Sequence, residues 1–252
     1  MNAKIDIQNH KILPFQQFSV SCFQILISSQ MHLRAYTALC LYAGFLALLR
    51  IYLTGDMILG WLIWNLILAL IPYFFALLAV KQKGWKFAIL TFLWLLFFPN
   101  ALYIFTDFIH LGKLPEYIHF DIVLISTTAL AGLISGFASL ELMHTYWNRH
   151  YHRVTGWVIV SGIMMVSLFG VYIGRFLRFN SWDILHEPGN LVKEIFSLLI
   201  SPNRLPQISE TSRATEGLLY GVYSMNVYGF IALYFGLYIL LYVFLYHTKK
   251  VR

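Results

Sequence analysis

Charge is scarce in this chain of 252 residues: Asp, Glu, Lys and Arg together make up only 12%, against 59% apolar and 17% aromatic residues, with a mean hydropathy of +0.68. A soluble domain of this length carries about twice that charge, so a water-soluble globular fold is excluded. Cysteine is scarcer still, with two residues, Cys22 and Cys40. Cys40 falls inside an apolar run and Cys22 in the N-terminal leader, which rules out a disulfide framework. Acids number 11 against 18 Lys and Arg. The excess of cations falls in short clusters between apolar runs rather than along one polar face, as topology signals do, so nucleic acid is not an expected partner. No fixed-period repeat or low-complexity tract is present, and no linker separates a second domain.

What the chain has in abundance is long apolar runs. A helix needs about 20 residues to cross some 30 Å of hydrocarbon, and six stretches meet that length: 35–54, 57–80, 86–106, 120–143, 155–176 and 218–246. The expected fold is therefore all-α, a polytopic membrane bundle of six transmembrane helices in a single domain, 31–252. Residues 1–30 are too polar to span and lack a compact signal core. They are expected to form an interfacial or poorly ordered leader, with Met31 an alternative start. The Thr54-Gly55-Asp56 turn should fold the first two spans into a hairpin.

Orientation follows from the cations. Lys4, Lys11 and Arg34, then Lys81, Lys83 and Lys86, then Arg149 and Arg153, then Lys249, Lys250 and Arg252 fall on one side. Arg50, Lys113 and the cations of the long connection 179–217 fall on the other. The richer side is cytoplasmic, which places both termini inside and the connection 179–217 outside. Within that connection Leu191 to Ile200 reads as an amphipathic helix lying along the membrane surface.

The most informative stretch is Trp94 to Leu111. Asn100, Tyr103, Asp107 and His110 follow one another at steps of three, four and three, one face of a helix. Pro99 stands before them and should kink or break the helix there. The fifth span delivers Arg175, Arg178, Asn180 and Asp183 to the same outer side. Ionisable groups at the hydrocarbon boundary are costly unless paired or wet, and are functional candidates by default. The plain reading is a structural clamp in which Asp107 pairs with Arg175 or Arg178. Asn65, at membrane depth in the second span, is expected to bond across to a neighbouring helix. Tyr234, Tyr238, Tyr242 and Tyr246 repeat every four residues as a packing or lipid-facing stripe.

Acid-x-x-His occurs four times, as Asp107/His110, Glu116/His119, Glu141/His144 and Asp183/His186, where about 0.4 would be expected from 11 acids and 9 histidines in 252 positions. On a helix this spacing presents carboxylate and imidazole to one side, as bundle metal sites do. A divalent transition metal held by Asp107, His110, Glu116 and His119 is the sharper expectation, with Arg175 and Arg178 clamping an anionic lipid head group. A metal-free acid–base site is a further reading, with Asp107 or His110 as general base. Transport through a cavity of broken helices is another. Glu141 to His152, with His144, is expected to be the wet cytoplasmic end of the fourth span.

The motifs Leu96-Phe-Phe-Pro99-Asn100-Ala-Leu-Tyr103-Ile-Phe-Thr106-Asp107-Phe-Ile-His110-Leu and Tyr172-Ile-Gly174-Arg175-Phe-Leu-Arg178-Phe-Asn180-Ser181-Trp182-Asp183 resemble the signatures of a bacterial membrane-protein family, domain of unknown function 1361. Trp64-Asn65 to Pro72 and Ser139 to His144 are similar as well, so the resemblance covers roughly 35–246. Leu102 stands where a proline is expected and Phe179 where a tryptophan is. The resemblance implies a multi-pass protein of the bacterial cytoplasmic membrane and carries no activity. From the residues, the expected function is recognition or modification of a lipid or other anionic substrate in an outer-face polar pocket. A small transporter subunit and an accessory protein with a salt-bridged clamp are the alternatives.

Overall fold

The computed structural model describes residues 14–55, 57, 59–111, 115–177, 188–200 and 226–248, with side chains in the first helix from residue 34. All regular structure among them is helical: α1 (Pro14–Thr54), α2 (Trp61–Ala79), α3 (Gly84–Tyr103), a 3₁₀ segment (Ile104–His110), a 3₁₀ turn (Pro115–Tyr117), α4 (Ile118–His150), α5 (Arg153–Tyr172), a π segment (Ile173–Leu177), α6 (Pro188–Ile200) and α7 (Val227–Thr248). Among the described residues six stretches are long and apolar enough to cross a membrane: Arg34–Thr54, Trp61–Ala79, Gly84–Phe108, Ile118–His150, Arg153–Phe176 and Val227–Tyr246. They match the six expected runs to within a few residues, apart from the end of the fourth, which runs on to His150, and the expected start of the last, 218–225, which lies outside the described residues. α1 begins well before its apolar part, so residues 14–30 continue it as helix on the N-terminal side.

Why these segments form spans is plain from their lengths and from how they stop. α1 ends at Gly55, whose φ of 65° is the left-handed conformation only glycine adopts cheaply. Its N–H bonds back to the carbonyl of Ile51 at 2.8 Å. Although that turn leads directly into α2, α1 packs more on α4 than on α2. α2 lies against α3 and α4, and α5 contacts α3, α4 and α7, which leaves α4 as the central helix. Its central place is visible in its burial, with more than half of the span covered by protein where the other spans stay largely exposed to their surroundings.

Small residues let α4 sit that close. A Cβ added at Gly132 would lie 2.8 Å from Cδ1 of Ile104, and one at Gly136 would lie 2.8 Å from Cβ of Ala101. Ala69 of α2 and Ala101 of α3 are themselves fully buried in the same layer. Membrane helices have no hydrophobic drive toward one another, so this close approach, with its dispersion contacts, is what holds α2, α3 and α4 together. Next to it, Trp94 Nε1 donates to Ser139 Oγ at 3.1 Å, and that hydroxyl donates in turn to the Gly136 carbonyl at 2.7 Å.

The tyrosine stripe of the last span is a packing stripe. Tyr238, Tyr242 and Tyr246 are buried and Tyr234 is half-buried, so they face the bundle. The Tyr238 hydroxyl donates to the carbonyl of Leu102 at 3.0 Å, just before α3 gives way to the 3₁₀ segment. Pro99 does not break α3, because the α-helix continues through it to Tyr103. The departure from α geometry comes at Ile104, one turn later. Pro99 packs against α5, where Gly170 leaves room for its ring.

Gly136→Val tests the close approach. The new side chain meets a rigid Cβ rather than a flexible tip, so a loss of about 1–3 kcal/mol is expected. It should appear as a lowered thermal midpoint in detergent beside Gly162→Val, at a glycine with open space around it. Equal midpoints for the two variants would contradict this account of the core.

Candidate functional site

The polar site is built where two spans stop being α-helical. Beyond Tyr103 the chain tightens into the 3₁₀ segment, with three residues per turn, so Asp107 and His110 stack on one side. Beyond Tyr172 the fifth span widens into the π segment that carries Arg175. The two irregular segments meet, and Arg175 spends its guanidinium on the first. Nη2 donates to Asp107 Oδ1, Nε donates to Thr106 Oγ1 at 2.8 Å, and Nη1 lies 3.2 Å from His110 Nε2. A guanidinium is a donor only, so His110 accepts on Nε2 and carries its proton on Nδ1.

Four further contacts complete the site. Asn65 Nδ2 of α2 donates to the other carboxylate oxygen of Asp107 at 3.0 Å. Thr106 Oγ1 donates to the Tyr103 carbonyl at 2.6 Å, and the Tyr103 ring lies under the guanidinium, 4.1 Å from Cζ. Trp61, one turn before Asn65, sets its ring edge-on to His110 with centroids 4.8 Å apart. Asp107 is fully buried and the Arg175 side chain is 6% exposed. The charges are therefore dehydrated and face each other between the third and fifth spans, an arrangement that lasts only with its hydrogen bonds satisfied.

Of the expected site residues, the structure brings together Tyr103, Asp107, His110 and Arg175. Asn100 is half-buried and donates to the carbonyl of Phe97 at 3.0 Å, one turn back on its own helix. Arg178, Asn180 and Asp183 lie outside the described residues, as does His186. The expected bond from Asn65 to a neighbouring helix is made, and its partner is Asp107.

The four residues expected as metal ligands are not brought together. Asp107 and His110 do not converge on an open position, because the Arg175 guanidinium lies against both, and a cation there repels a metal ion. Glu116 and His119 are exposed. Among the described residues no three His, Cys, Asp or Glu side chains are grouped to hold a metal. Arg149, His150 and His152, at and just past the end of α4, are exposed, as expected, but His144 is a correction: it is fully buried, its Nδ1 lies 2.9 Å from the Tyr242 hydroxyl, and its ring packs against Trp157 and Tyr246. It stands on the inner face of α4, where the stripe of α7 tyrosines closes over it.

The sequence reading missed a second buried pair. Arg50 of α1 donates from Nε to Asp121 Oδ1 at 2.6 Å and from Nη2 to Oδ2 at 3.2 Å, with side chains 3% and 2% exposed. The Tyr117 ring covers that guanidinium, 4.5 Å from Cζ. Arg50 is counted above as a surface cation. A signal was available, since it is the one charged residue inside the run 35–54 and ionisable groups at that depth are rarely idle. The two centres share a spacing as well: Tyr103 precedes Asp107 by four residues and Tyr117 precedes Asp121 by four.

The second pair gives a test that separates pairing from burial. Arg50→Met alone leaves Asp121 buried without its cation and should cost about 3–5 kcal/mol, whereas Arg50→Met with Asp121→Leu should recover most of that loss. Thermal unfolding of both variants in detergent checks this. A double variant no more stable than the single one would mean that the contact is not what stabilises this corner.

Comparison with curated proteins finds no match, and comparison with solved structures finds none either. A family profile does match, that of "Protein of unknown function (DUF1361)", over residues 64–214. The match runs from α2 through α6, a narrower reach than 35–246, and contains Asn65, Tyr103, Thr106, Asp107, His110, Asp121 and Arg175 while leaving Arg50 outside. With the greater part of its length covered by that profile and six helices suited to crossing a membrane, the chain is a multi-pass membrane protein and belongs to the DUF1361 family.

Proposed function

We propose that this protein recognises the anionic head group of a lipid, or of a lipid-like substrate, at the end of the bundle where Arg175 lies. One observation carries the reading: two facing spans abandon α geometry at the same level, one by tightening and one by widening, and it is these irregular turns that bear Asp107, His110 and Arg175. A clamp between two helices can be made on regular α-helix. Irregular helical turns are more usual at functional positions, where a side chain must be aimed at something other than its own helix. Asp107 keeps the guanidinium oriented and dry, and the Tyr103 face stabilises it from below. A phosphate oxygen arriving from the leaflet would take over donors that Thr106 and His110 hold at rest, since Arg matches phosphate with two parallel bonds.

The same reading places this end on the outer face of a bacterial cytoplasmic membrane, with both termini inside. At the opposite end Lys81, Lys83, Lys86, Arg149 and Arg153 are all exposed. Two cations at the site end, Arg50 and Arg175, are neutralised in buried pairs and do not count as topology signals. The bias toward a cytoplasmic opposite end is thus steeper than the sequence alone suggests. Alkaline phosphatase fused after residue 252 should be inactive in cells and a fluorescent protein fused there should fold and glow. The reverse pair of results would invert the orientation.

A second reading has its own support: at rest Nε, Nη1 and Nη2 of Arg175 are all engaged within the protein, as a purely structural clamp requires. Native mass spectrometry of lipids retained by the purified protein separates the two. Arg175→Gln should lose anionic lipid several-fold relative to Arg50→Gln, which removes the other buried pair and controls for general loosening. If both variants keep the lipid complement of the wild type, head-group recognition fails and the clamp stands.

A further inference from the structure

The helix α6 carries more apolar surface than the protein covers. Wound at 3.6 residues per turn, it shows one broad apolar arc. Leu198 and Ile195 form one side of that arc, while Val192, Phe196 and Ile200 form the other at intervals of four. The first side is spent on the protein. Leu198 is 3% exposed and belongs to the core cluster that also holds Tyr172, Ile173, Val227 and Phe230, and Ile195 is partly buried and packs against that cluster. The second side is open, with Val192 50%, Phe196 60% and Ile200 78% exposed. Lys193 and Ser197 occupy the remaining face, exposed and half-buried respectively.

The height of α6 identifies what meets the open side. Tyr172 and Ile173 lie near the end of the fifth span, and Val227 and Phe230 at the start of the last. The chain passes from Leu177, where the π segment of the fifth span ends, to Pro188, where α6 starts, and so short a connection keeps α6 near those span ends, where hydrocarbon gives way to water. The chain enters α6 from one span and leaves it toward another, so it is tethered at that level on both sides. A helix that rested on the protein alone would need only the Leu198 side to be apolar. Amphipathic helices at the boundary bury such a stripe among the upper acyl chains while a lysine reaches for the head groups.

We infer that α6 is an interfacial helix whose Val192–Phe196–Ile200 stripe lies in the acyl-chain edge of the leaflet, with Lys193 at the level of the head groups. The partner is the bilayer itself. This holds whatever the Arg175 cluster binds.

Single cysteines report on it directly. With Cys22 and Cys40 replaced by serine, cysteine is placed at Phe196, Ile200 or Lys193, labelled with an environment-sensitive nitrobenzoxadiazole fluorophore, and reconstituted in vesicles of phosphatidylcholine and phosphatidylglycerol. Labels at 196 and 200 should emit at shorter wavelength than the label at 193 and be quenched several-fold more by nitroxide lipids labelled high on the acyl chain. The label at 193 should be the one quenched by aqueous iodide. If 196 and 200 respond to iodide as strongly as 193 does, the stripe faces water and the inference fails. If they are shielded from both quenchers, a protein surface covers the stripe, and the inference fails in favour of a second copy of the chain. Two reporters on the stripe keep the test readable if one substitution disturbs folding.

Discussion

An ionised carboxylate at the edge of hydrocarbon persists only where a cation is brought to it, and the contact between Asp107 and Arg175 meets that demand with residues far apart in the chain. Much of the architecture around it can be read as the means of making that contact. α3 must carry Asp107 inward rather than toward lipid, which its 3₁₀ continuation does. α5 must present Arg175 to the same point, which falls in its π segment. α2 must approach closely enough for Asn65 to reach the second carboxylate oxygen, and it does so because Ala69, Ala101 and Gly132 leave no bulk between α2, α3 and α4. The tight small-residue layer and the polar site are thus one construction, with close packing in mid-bundle setting the distance over which the charged groups meet.

The second pair shows that this is a repeated solution. Arg50 and Asp121 tie α1 to the start of α4 just as Arg175 and Asp107 tie α5 to the end of the third span, and in each a tyrosine four residues before the aspartate lies against the guanidinium. The stretch from Tyr103 to Asp121 is therefore pinned at both ends to arginines from two other spans. Between the pins lie the 3₁₀ segment and a turn, backbone that hydrocarbon does not tolerate unless protein surrounds it or water reaches it. Paired charges at both ends make that non-α-helical connection affordable at this depth.

Most of this fold was legible in the sequence because membrane physics is one-dimensional: length and apolarity alone mark a span. Asp107 and His110 were legible because i, i+3 spacing keeps two side chains on one side in a 3₁₀ helix as in an α-helix, and Tyr103 because it stands at the end of the α-helix that leads into them. Arg50 was not, because a cation near a helix end looks the same when it snorkels to water and when it turns inward, and only the position of Asp121 distinguishes the two. His144 was misread for a related reason. Its neighbours in sequence, Glu141 and Arg149, are polar, but on a helix the next residue points elsewhere, and the tyrosines that bury it come from a span about a hundred positions away. Acid-x-x-His spacing describes two side chains on one face and says nothing about what the neighbouring helix inserts between them.

What the helix inserts is an arginine, and that choice bears on function. A lysine could have neutralised Asp107 as a point charge, but the guanidinium also engages Thr106 and His110 and lies over the Tyr103 ring. Of these, the bonds to Thr106 and His110 are to neutral groups, weaker than the ion pair and exchangeable for the oxygens of an anion. An arginine anchored by one charge and loosely held by two neutral partners can change what it binds without leaving its aspartate. In the proposed function this is how a buried clamp and a recognition site occupy the same residues: the ion pair holds the bundle together, and the neutral half of the network is the part free to answer to a head group.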